Sequence, residues 1–385
     1  MQSLLDYLSD EERATVTQVQ RYADDVLASS AAATDETSHF VHAQLQGLAV
    51  LGVMGANLPE ACSGAGLSAP ALLGVVAAVA GACGSTASAL TAHYLATDSI
   101  LLGGTDAQRE DWLPRAAAGE VLGAFALTEP TAGSEPADMK TRAAKTADGW
   151  HLTGSKCFIS NGGVADFLIV YANTAPKLGN RGISAFLVPK GTTGLSSGKA
   201  ERTMGLKGGH VFTLGFDCRL PHDALLGGVE GQGFKTAMRV LDNGRIEVAA
   251  MCLGIAAKAF EAAVSYAKQR IIGNEPLSNR QGIRWQLADM QIDLNAAILV
   301  ALEAARQRQA AHHTGARYSL AAAQAKLQCS EMAGRVTDAA LQIHGGYGYT
   351  RDFPLERYAR DVRIMRIYEG SSEIQRNIIA AHLLA

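Results

Sequence analysis

Apolar residues recur at three- and four-residue spacing through HFVHAQLQGLAVLG (39–52) and LTAHYLATDSILL (90–102), a period that predicts helices. The run Ser9-Asp10-Glu11-Glu12 reads as a helix start, because a serine can cap and acids suit the N-terminal dipole. Glycine-rich connections such as ACSGAGLSAP (61–70) separate these segments, and residues 1–120 are predicted to form a helical domain. The texture changes near Val121. GWHLTGSKCFIS, DFLIVYANT, ISAFLVPK and VFTLGFDCRL are short, β-branched and aromatic, and bounded by Gly, Pro or Asn, with an Asp148-Gly149 hairpin signal. Residues 121–230 are therefore predicted to be a β domain. From Gly233 the helical period returns, and residues 231–385 are predicted to be a helical bundle. In WQLADMQIDLNAAILVALEAA, Leu287, Met290, Leu294, Ile298 and Leu302 form one stripe, while Ala296, Ala297, Leu299 and Val300 make the other faces apolar too. Such a helix is buried on several sides, in a bundle core or an oligomer contact.

Composition narrows the class. With 385 residues and 48% hydrophobic content, two or three domains with large cores are expected. Net charge is −3 and no long basic run occurs, which argues against nucleic acid. No strand followed by GxGxxG appears, so a Rossmann domain is disfavoured. Six scattered cysteines read as small buried hydrophobes in a reducing compartment. No HExxH or Cys/His cluster suggests a metal, and His312-His313 reads as surface. The N-terminus lacks a signal pattern, so a cytoplasmic protein is expected. The stretch between Glu60 and Asp98 holds no Asp, Glu, Lys or Arg, which raises a membrane reading. Its Ala, Gly and Ser content favours a helix packed inside a domain, and no membrane span is expected.

Four stretches carry candidate chemistry, each with a plainer reading beside it. In MRIYEGSSEIQR (365–376), Glu369 is either part of a helix stop or a carboxylate held at a bend for chemistry. GAFALTEPTAGSEPADMKTRA (123–143) lies at the helix-to-strand junction, with hydroxyls at Thr128, Thr131 and Ser134; the plain reading is a turn around Pro130. KCFISNGG (156–163) sets Phe158 two residues before Ser160 on one strand face, a ring wall and a hydroxyl for a flat heterocycle, or simply a strand running into a turn. In LQIHGGYGYTRDFPLERYARD (341–361), Gly345 and Gly346 open backbone N–H groups to an anion such as a pyrophosphate, and Gln342 reaches the same place.

In this order and spacing, together with GISAFLVPKGTTGL, TMGLKGG and LDNGRI, the stretches resemble the acyl-CoA dehydrogenase flavoprotein family of short- or medium-chain type. The similarity runs from ANLPEACSGAGL to the C-terminus. It implies a mostly α fold with a central β-barrel domain, non-covalent FAD, a homotetramer, and an electron-transfer flavoprotein as acceptor. It assigns Glu369 as the base that removes an α-proton from an acyl-CoA thioester while a β-hydride goes to flavin N5. Phe125, Leu127, Thr128, Ser134, Phe158 and Ser160 match flavin contacts, and Ser134 also the CoA arm. Arg270, Gln281, Gln342, Gly345 and Gly346 match contacts to the FAD of a neighbouring subunit. Ser371 and Glu373 match flavin contacts after the base, and Asp242, Arg245, Tyr368 and Gly370 the substrate side. Several positions depart from the family pattern. Phe158 and Ser160 stand for a common Trp and Thr, Glu135 for an Asp, Gly273-Asn274 for a Phe-Gly pair, and Ala77-Ala78 for paired acids. Thr86 replaces the arginine of glutaryl-type members, which disfavours a dicarboxylic chain and points to an uncharged acyl group of short to medium length. Gly244 occupies the alternative base position of some members, leaving Glu369 unopposed. An oxygen-using or acyl-carrier-protein-specific relative is the alternative within the enzymes, and a non-catalytic flavin-binding relative the alternative outside them.

Overall fold

A computed structural model describes residues 2–385, with the side chains of Gln2, Ser3, His312 and His313 outside that description. The surface reading of His312-His313 therefore falls outside the described side chains. The chain begins with α1 (Gln2–Leu5), α2 (Asp10–Tyr22), α3 (Ala28–Thr37), α4 (His42–Val50), α5 (Ala69–Ala82), α6 (Gly84–Gly103) and α7 (Asp106–Ala117). Ser9 caps α2 as its sequence suggests: its hydroxyl accepts from the Glu12 N–H while the Glu12 carboxylate accepts from the Ser9 N–H.

The uncharged stretch before Asp98 is two buried helices, α5 and α6, broken at Cys83, where the backbone is extended. Small residues serve close packing there. A Cβ on Gly254 would stand 2.0 Å from the Ala77 carbonyl oxygen, so α5 lies backbone to backbone against the long C-terminal helix α8 (Gly233–Gln269). Among the described residues α8 is long and apolar enough to cross a membrane, yet 67% of its most apolar window is buried in the core.

The central sheet comprises β1 (Gly123–Ala126), β2 (Arg142–Thr146), β3 (Gly149–Ser160), β4 (Phe167–Asn173), β5 (Ile183–Pro189), β6 (Leu195–Ser197) and β7 (Val211–Leu220). The strand order is β1-β4-β2-β3-β7-β6, with β5 on β4. This pairing has open ends, so the expected barrel is a curled sheet. The β2–β3 hairpin sits one residue earlier than its Asp-Gly signal: Thr146 pairs with Gly149, leaving Ala147 and Asp148 in the loop. Strand β4 alternates between two cores. Leu168, Val170 and Ala172 point into the sheet's own core, while Phe167, Ile169 and Tyr171 pack with Ala96, Ile100 and Leu113 of α6 and α7 and Ala237 of α8. That second core fastens the sheet to the helices.

After α8 come the hairpin β8 (Ile271–Ile272) and β9 (Glu275–Pro276), then α9 (Gln281–Thr314), α10 (Ser319–His344), α11 (Gly346–Tyr349), α12 (Leu355–Arg363) and α13 (Ser372–Leu383). Helix α8 packs against α5, α6, α9 and α10. The α9 stripe lies in this core at Met290, Leu294, Ile298 and Leu302, whereas Trp285, Ile292 and Leu299, seven residues apart, are exposed.

Candidate active site

Past α12 the chain makes a short turn at Ile364–Arg366 and leaves helical geometry until Ser371 caps α13. Glu369 and Gly370 adopt positive φ angles of 52° and 91°. For a glutamate this left-handed backbone costs about 1 kcal/mol or more, and it persists only where surroundings enforce it. Two buried donors do so. Gln375 Nε2 donates to the carbonyls of Glu369 (3.1 Å) and Gly370 (3.0 Å), and Lys326 Nζ, from α10, donates to Gly370 at 2.7 Å. Ser372 Oγ adds a 2.7 Å bond to Glu331 on α10. The helix stop and the aimed carboxylate are thus one feature.

The carboxylate lies against α8 at Gly244, where a Cβ would stand 2.2 Å from Glu369 Oε2 and 2.7 Å from Leu95 Cδ2. Gly244 therefore supplies the space the Glu369 carboxylate occupies. Glu369 Oε2 is buried and accepts no hydrogen bond. Burial pushes this carboxyl up to about 7, opposed first by Lys326 and then by Arg245. A carboxylate in that state takes a proton near neutral pH.

Sulfur and hydroxyl groups stand beside it. Tyr368 Oη lies 2.8 Å from Met365 Sδ and 3.6 Å from Met251 Sδ, which also meets Thr91 Oγ1 of α6 at 3.7 Å. Arg245 pairs with Asp242 at 2.6 Å, and Ser319 donates to the same carboxylate. Behind Gly244, one turn along α8, Glu247 faces Arg308 (3.4 Å), which also approaches Asp98 (3.8 Å). Asp98 accepts from Asn57 (2.7 Å) and Asn243 (2.6 Å). Burial lifts Glu247 to about 8, with Asp98 and Glu369 adding to the rise against Arg308.

The 123–143 stretch enters from the sheet. Lys156 Nζ donates to the Leu127 carbonyl (2.8 Å) and pairs with Glu129 (2.8 Å) in full burial, while the Thr128 carbonyl accepts from the Cys157 N–H at 2.9 Å. Phe125 rests on Tyr171 with ring centres 5.0 Å apart. Phe158 and Ser160 do not follow simple alternation: β3 bulges between Lys156 and Ile159, and Phe158 takes a φ of 57°. The bulge leaves Phe158 69% exposed, an unpaired ring facing outward on the sheet. Ser134 is exposed in the β1–β2 connection, and nothing lies within 4 Å of a Cβ on Gly133. Helix α6 joins this face to the Glu369 bend. Its Ala89 carbonyl accepts from Asn161 and His93 Nδ1 from the Gly123 N–H, while Leu95, roughly 9 Å further along the axis, touches Gly244.

Arg270, Gln342, Gly345 and Gly346 line a different cleft, of about 590 Å³, with Tyr266, Gln286 and Tyr347. Gln281 is exposed at the start of α9 and does not line it; Gln286 does. Gly273 and Asn274 take φ angles of 62° and 69°, forming the tight β8–β9 turn that follows Arg270. The donor set fits a dinucleotide phosphate. A Cβ at Gly345 or Gly346 would meet nothing within 4 Å, so the cleft is open there; Gly345, at φ 59° and ψ −135°, holds a conformation reserved for glycine while its N–H donates to the Gln342 carbonyl at 3.0 Å. Ser371 and Glu373 sit at the start of α13; the Ser371 hydrogen bond holds the exposed Glu373 carboxyl below its usual value.

Family models match end to end: the acyl-CoA dehydrogenase N-terminal domain over residues 9–120, the middle domain over 124–218 and the C-terminal domain over 231–384. Acryloyl-CoA reductase (NADH) of Anaerotignum propionicum is 41% identical over 380 residues, covering 98% of this chain and 95% of that protein. The mitochondrial short-chain specific acyl-CoA dehydrogenase of Bos taurus is 41% identical over 365 residues, covering 94% and 87%. Butyryl-CoA dehydrogenase from Megasphaera elsdenii superposes with a TM-score of 0.94 at 38% identity, over 98% and 99% of the two chains. With matches spanning all three segments and the bend at Glu369 in place, this chain belongs to the acyl-CoA dehydrogenase family.

Proposed function

We propose that Glu369 is the catalytic base of this flavoprotein oxidoreductase, acting on short, uncharged acyl-CoA thioesters. The chain is an acyl-CoA dehydrogenase, forming a trans-2,3 double bond with FAD as cofactor. The observation that carries the assignment of the base is the Glu369 carboxylate, buried against Gly244 with Oε2 unpartnered and its titration lifted to about 7. Glu369 takes the α-proton onto that carboxylate, and the α C–H electron pair becomes the new double bond as hydrogen leaves the β-carbon with its pair. When bound, FAD supplies the acceptor for that hydride. The thioester carbonyl receives the backbone N–H of Glu369, so the strained bend aims both donor and base. Phe125, Thr128, Phe158 and Ser160 wall the flavin ring, and Ser134 takes the CoA arm.

The phosphate cleft supports a homotetramer. Arg270, which caps the end of α8, lies 26 residues beyond Gly244, roughly 39 Å along the axis, and Gly345, which caps the end of α10, lies roughly 28 Å beyond Lys326. One chain therefore presents its base and its glycine cleft at opposite ends of the bundle, so each FAD draws on two chains. The exposed apolar row Trp285, Ile292 and Leu299 supplies a contact. Electrons leave to an electron-transfer flavoprotein.

An anaerobic titration with acyl-CoA thioesters of graded length tests this reading. Butyryl-CoA is expected to bleach the flavin fastest, and Glu369→Gln to keep FAD bound while slowing bleaching roughly a thousandfold. Wild-type bleaching in that variant overturns the base. Rapid peroxide release from the reduced enzyme in air overturns the electron-transfer flavoprotein assignment in favour of an oxidase.

A further inference from the structure

Lys326 is a fully buried lysine on α10, in a run of alanines, and nothing in the reaction as derived above uses it. Burying an ammonium is costly unless partners hold it. The partner given to its Nζ is the carbonyl of Gly370, at 2.7 Å, one residue past Glu369 and 44 residues away in sequence. An amphipathic helix in a bundle needs no lysine at a core position, and a leucine or methionine would fill the space at no electrostatic cost. The ammonium therefore has a reason to be there, and its surroundings supply one.

Two consecutive left-handed residues, Glu369 and Gly370, are held by two side chains, Lys326 and Gln375, both fully buried. They divide the task. Gln375 holds both carbonyls from the helix that follows the bend, so it moves with the bend. Lys326 reaches in from α10, which packs against α8, the helix carrying Gly244. Lys326 ties the bend's own carbonyl to α10, where Ser372, Arg366 and Arg376 on either side of the bend also reach Glu331. The charges around the base are few. From α10, Lys326 faces Glu369; from α8, Arg245 and Glu247 face it; and the neighbouring Tyr368 phenol lies beside it, raised well above its usual value by burial. Arg245 is already committed to Asp242 at 2.6 Å. Lys326 in turn is faced by Cys252 and Arg245 of α8, by Glu369, and by Glu331 of α10, which is shared with Arg366 and Arg376. Among the described residues Arg245 forms an ion pair with a carboxylate, whereas Lys326 has its hydrogen bond to the Gly370 carbonyl.

We propose that Lys326 is a positioning residue for the base: its buried ammonium grips the Gly370 carbonyl, fixes the Glu369–Gly370 bend against α8, and supplies the positive charge that favours the ionised, proton-accepting carboxylate. The inference rests on the assignment of Glu369 as base. Its two parts separate by substitution. Lys326→Gln keeps a donor for the Gly370 carbonyl and removes the charge; Lys326→Met removes both at similar length.

The experiment measures the rate of anaerobic flavin bleaching by butyryl-CoA against pH in FAD-loaded wild type, Lys326→Gln, Lys326→Met and Glu369→Gln. Both lysine variants are expected to retain FAD. The rising limb of the profile, near pH 7 in the wild type, should move up by about one pH unit in each, because losing the cation makes Glu369 harder to ionise. At high pH Lys326→Gln should recover to within a few-fold of wild type, while Lys326→Met should stay roughly tenfold or more below, its bend released. A second readout needs no turnover. Ionised Glu369 costs the fold stability, so Glu369→Gln should raise the apoprotein Tm at pH 8, and raise it further in the Lys326→Gln background. A limb left in place in both variants, with the same Tm gain in both backgrounds, overturns the positioning role. Loss of rate at all pH values with no movement of the limb also overturns it, reducing Lys326 to a packing residue. Full bleaching in Glu369→Gln instead overturns the base, whatever the lysine variants do.

Discussion

Two regions carry the chemistry proposed for this chain, and they are finished to different degrees. At the Glu369 bend the carbonyls of the backbone are met from within: Gln375 and Lys326 donate to them, Ser371 caps the helix that follows, and Gly244, beside Leu95, leaves room for the carboxylate. At the flavin face and the glycine cleft the reverse holds. Phe158 projects a bare ring, Gly133, Gly345 and Gly346 have open space where a side chain would be, and Arg270 has a cation–π contact with Tyr347 at 5.9 Å. A group that must be correct before substrate arrives is built in; a group that waits for a cofactor is left open, at the cost of exposed apolar surface and strained backbone. A damaged bend should therefore lose rate, and a damaged cleft should lose cofactor.

Gly244→Ala puts the contrast to its hardest use. The added methyl meets the Glu369 carboxylate, so kcat is expected to fall roughly 10- to 100-fold with FAD affinity unchanged, by stopped-flow bleaching and flavin fluorescence. Equal losses in rate and FAD affinity would break the separation. Next in size, Ile292→Asp, together with Leu299→Asp, places charge on the exposed α9 row; light scattering should show a smaller assembly, with FAD held about tenfold more weakly. An intact tetramer would remove α9 from the interface. Gly345→Ala adds a Cβ into open space but onto a backbone reserved for glycine. FAD affinity should drop several-fold while the FAD-saturated bleaching rate stays at wild-type value. The smallest effect concerns pH. Glu369 is raised in the fold, from 4.5 to about 7, so its contribution favours the folded state below about 4.5 and is lost as pH rises through about 7. Glu369→Gln should thus match wild type in chemical denaturation at pH 4 and exceed it at pH 8, by roughly 3 kcal/mol at most.

Much of the fold was legible in the sequence because the signals are local. Strands β3 and β7 match their quoted segments end to end, since β-branched and aromatic runs stop where Gly, Asn or Pro intervenes. The bulge at Phe158 was not legible; it depends on how Lys156 reaches Leu127 and Glu129, contacts nearly thirty residues distant in sequence. The hairpin loop moved by one residue because Gly149, at φ 144°, serves as the first residue of the strand instead of a turn residue. Glu369 stood out because a Gly-Ser-Ser break follows it, and the family resemblance marked Gly244 as the alternative base position left without a carboxylate; that Gly244 makes room for Glu369 appears only in the fold. Lys326 and Gln375 could not be found this way: each lies in an unbroken helical pattern, and what marks them is a carbonyl belonging to a bend whose geometry appears only in three dimensions. Asp242 and Arg245, assigned to the substrate side, are found buried and paired with each other, a contact of adjacent helical turns.

The most direct measurement is the exchange of the α-protons of butyryl-CoA with solvent in D2O, followed by NMR in the presence of FAD-loaded enzyme. The wild type is expected to wash deuterium into the α-position, faster as pH rises through about 7, and Glu369→Gln to leave both α-protons in place with FAD still bound. Exchange at the wild-type rate in Glu369→Gln would show that another group removes the proton, and would contradict the assignment of this bend as the site of the base.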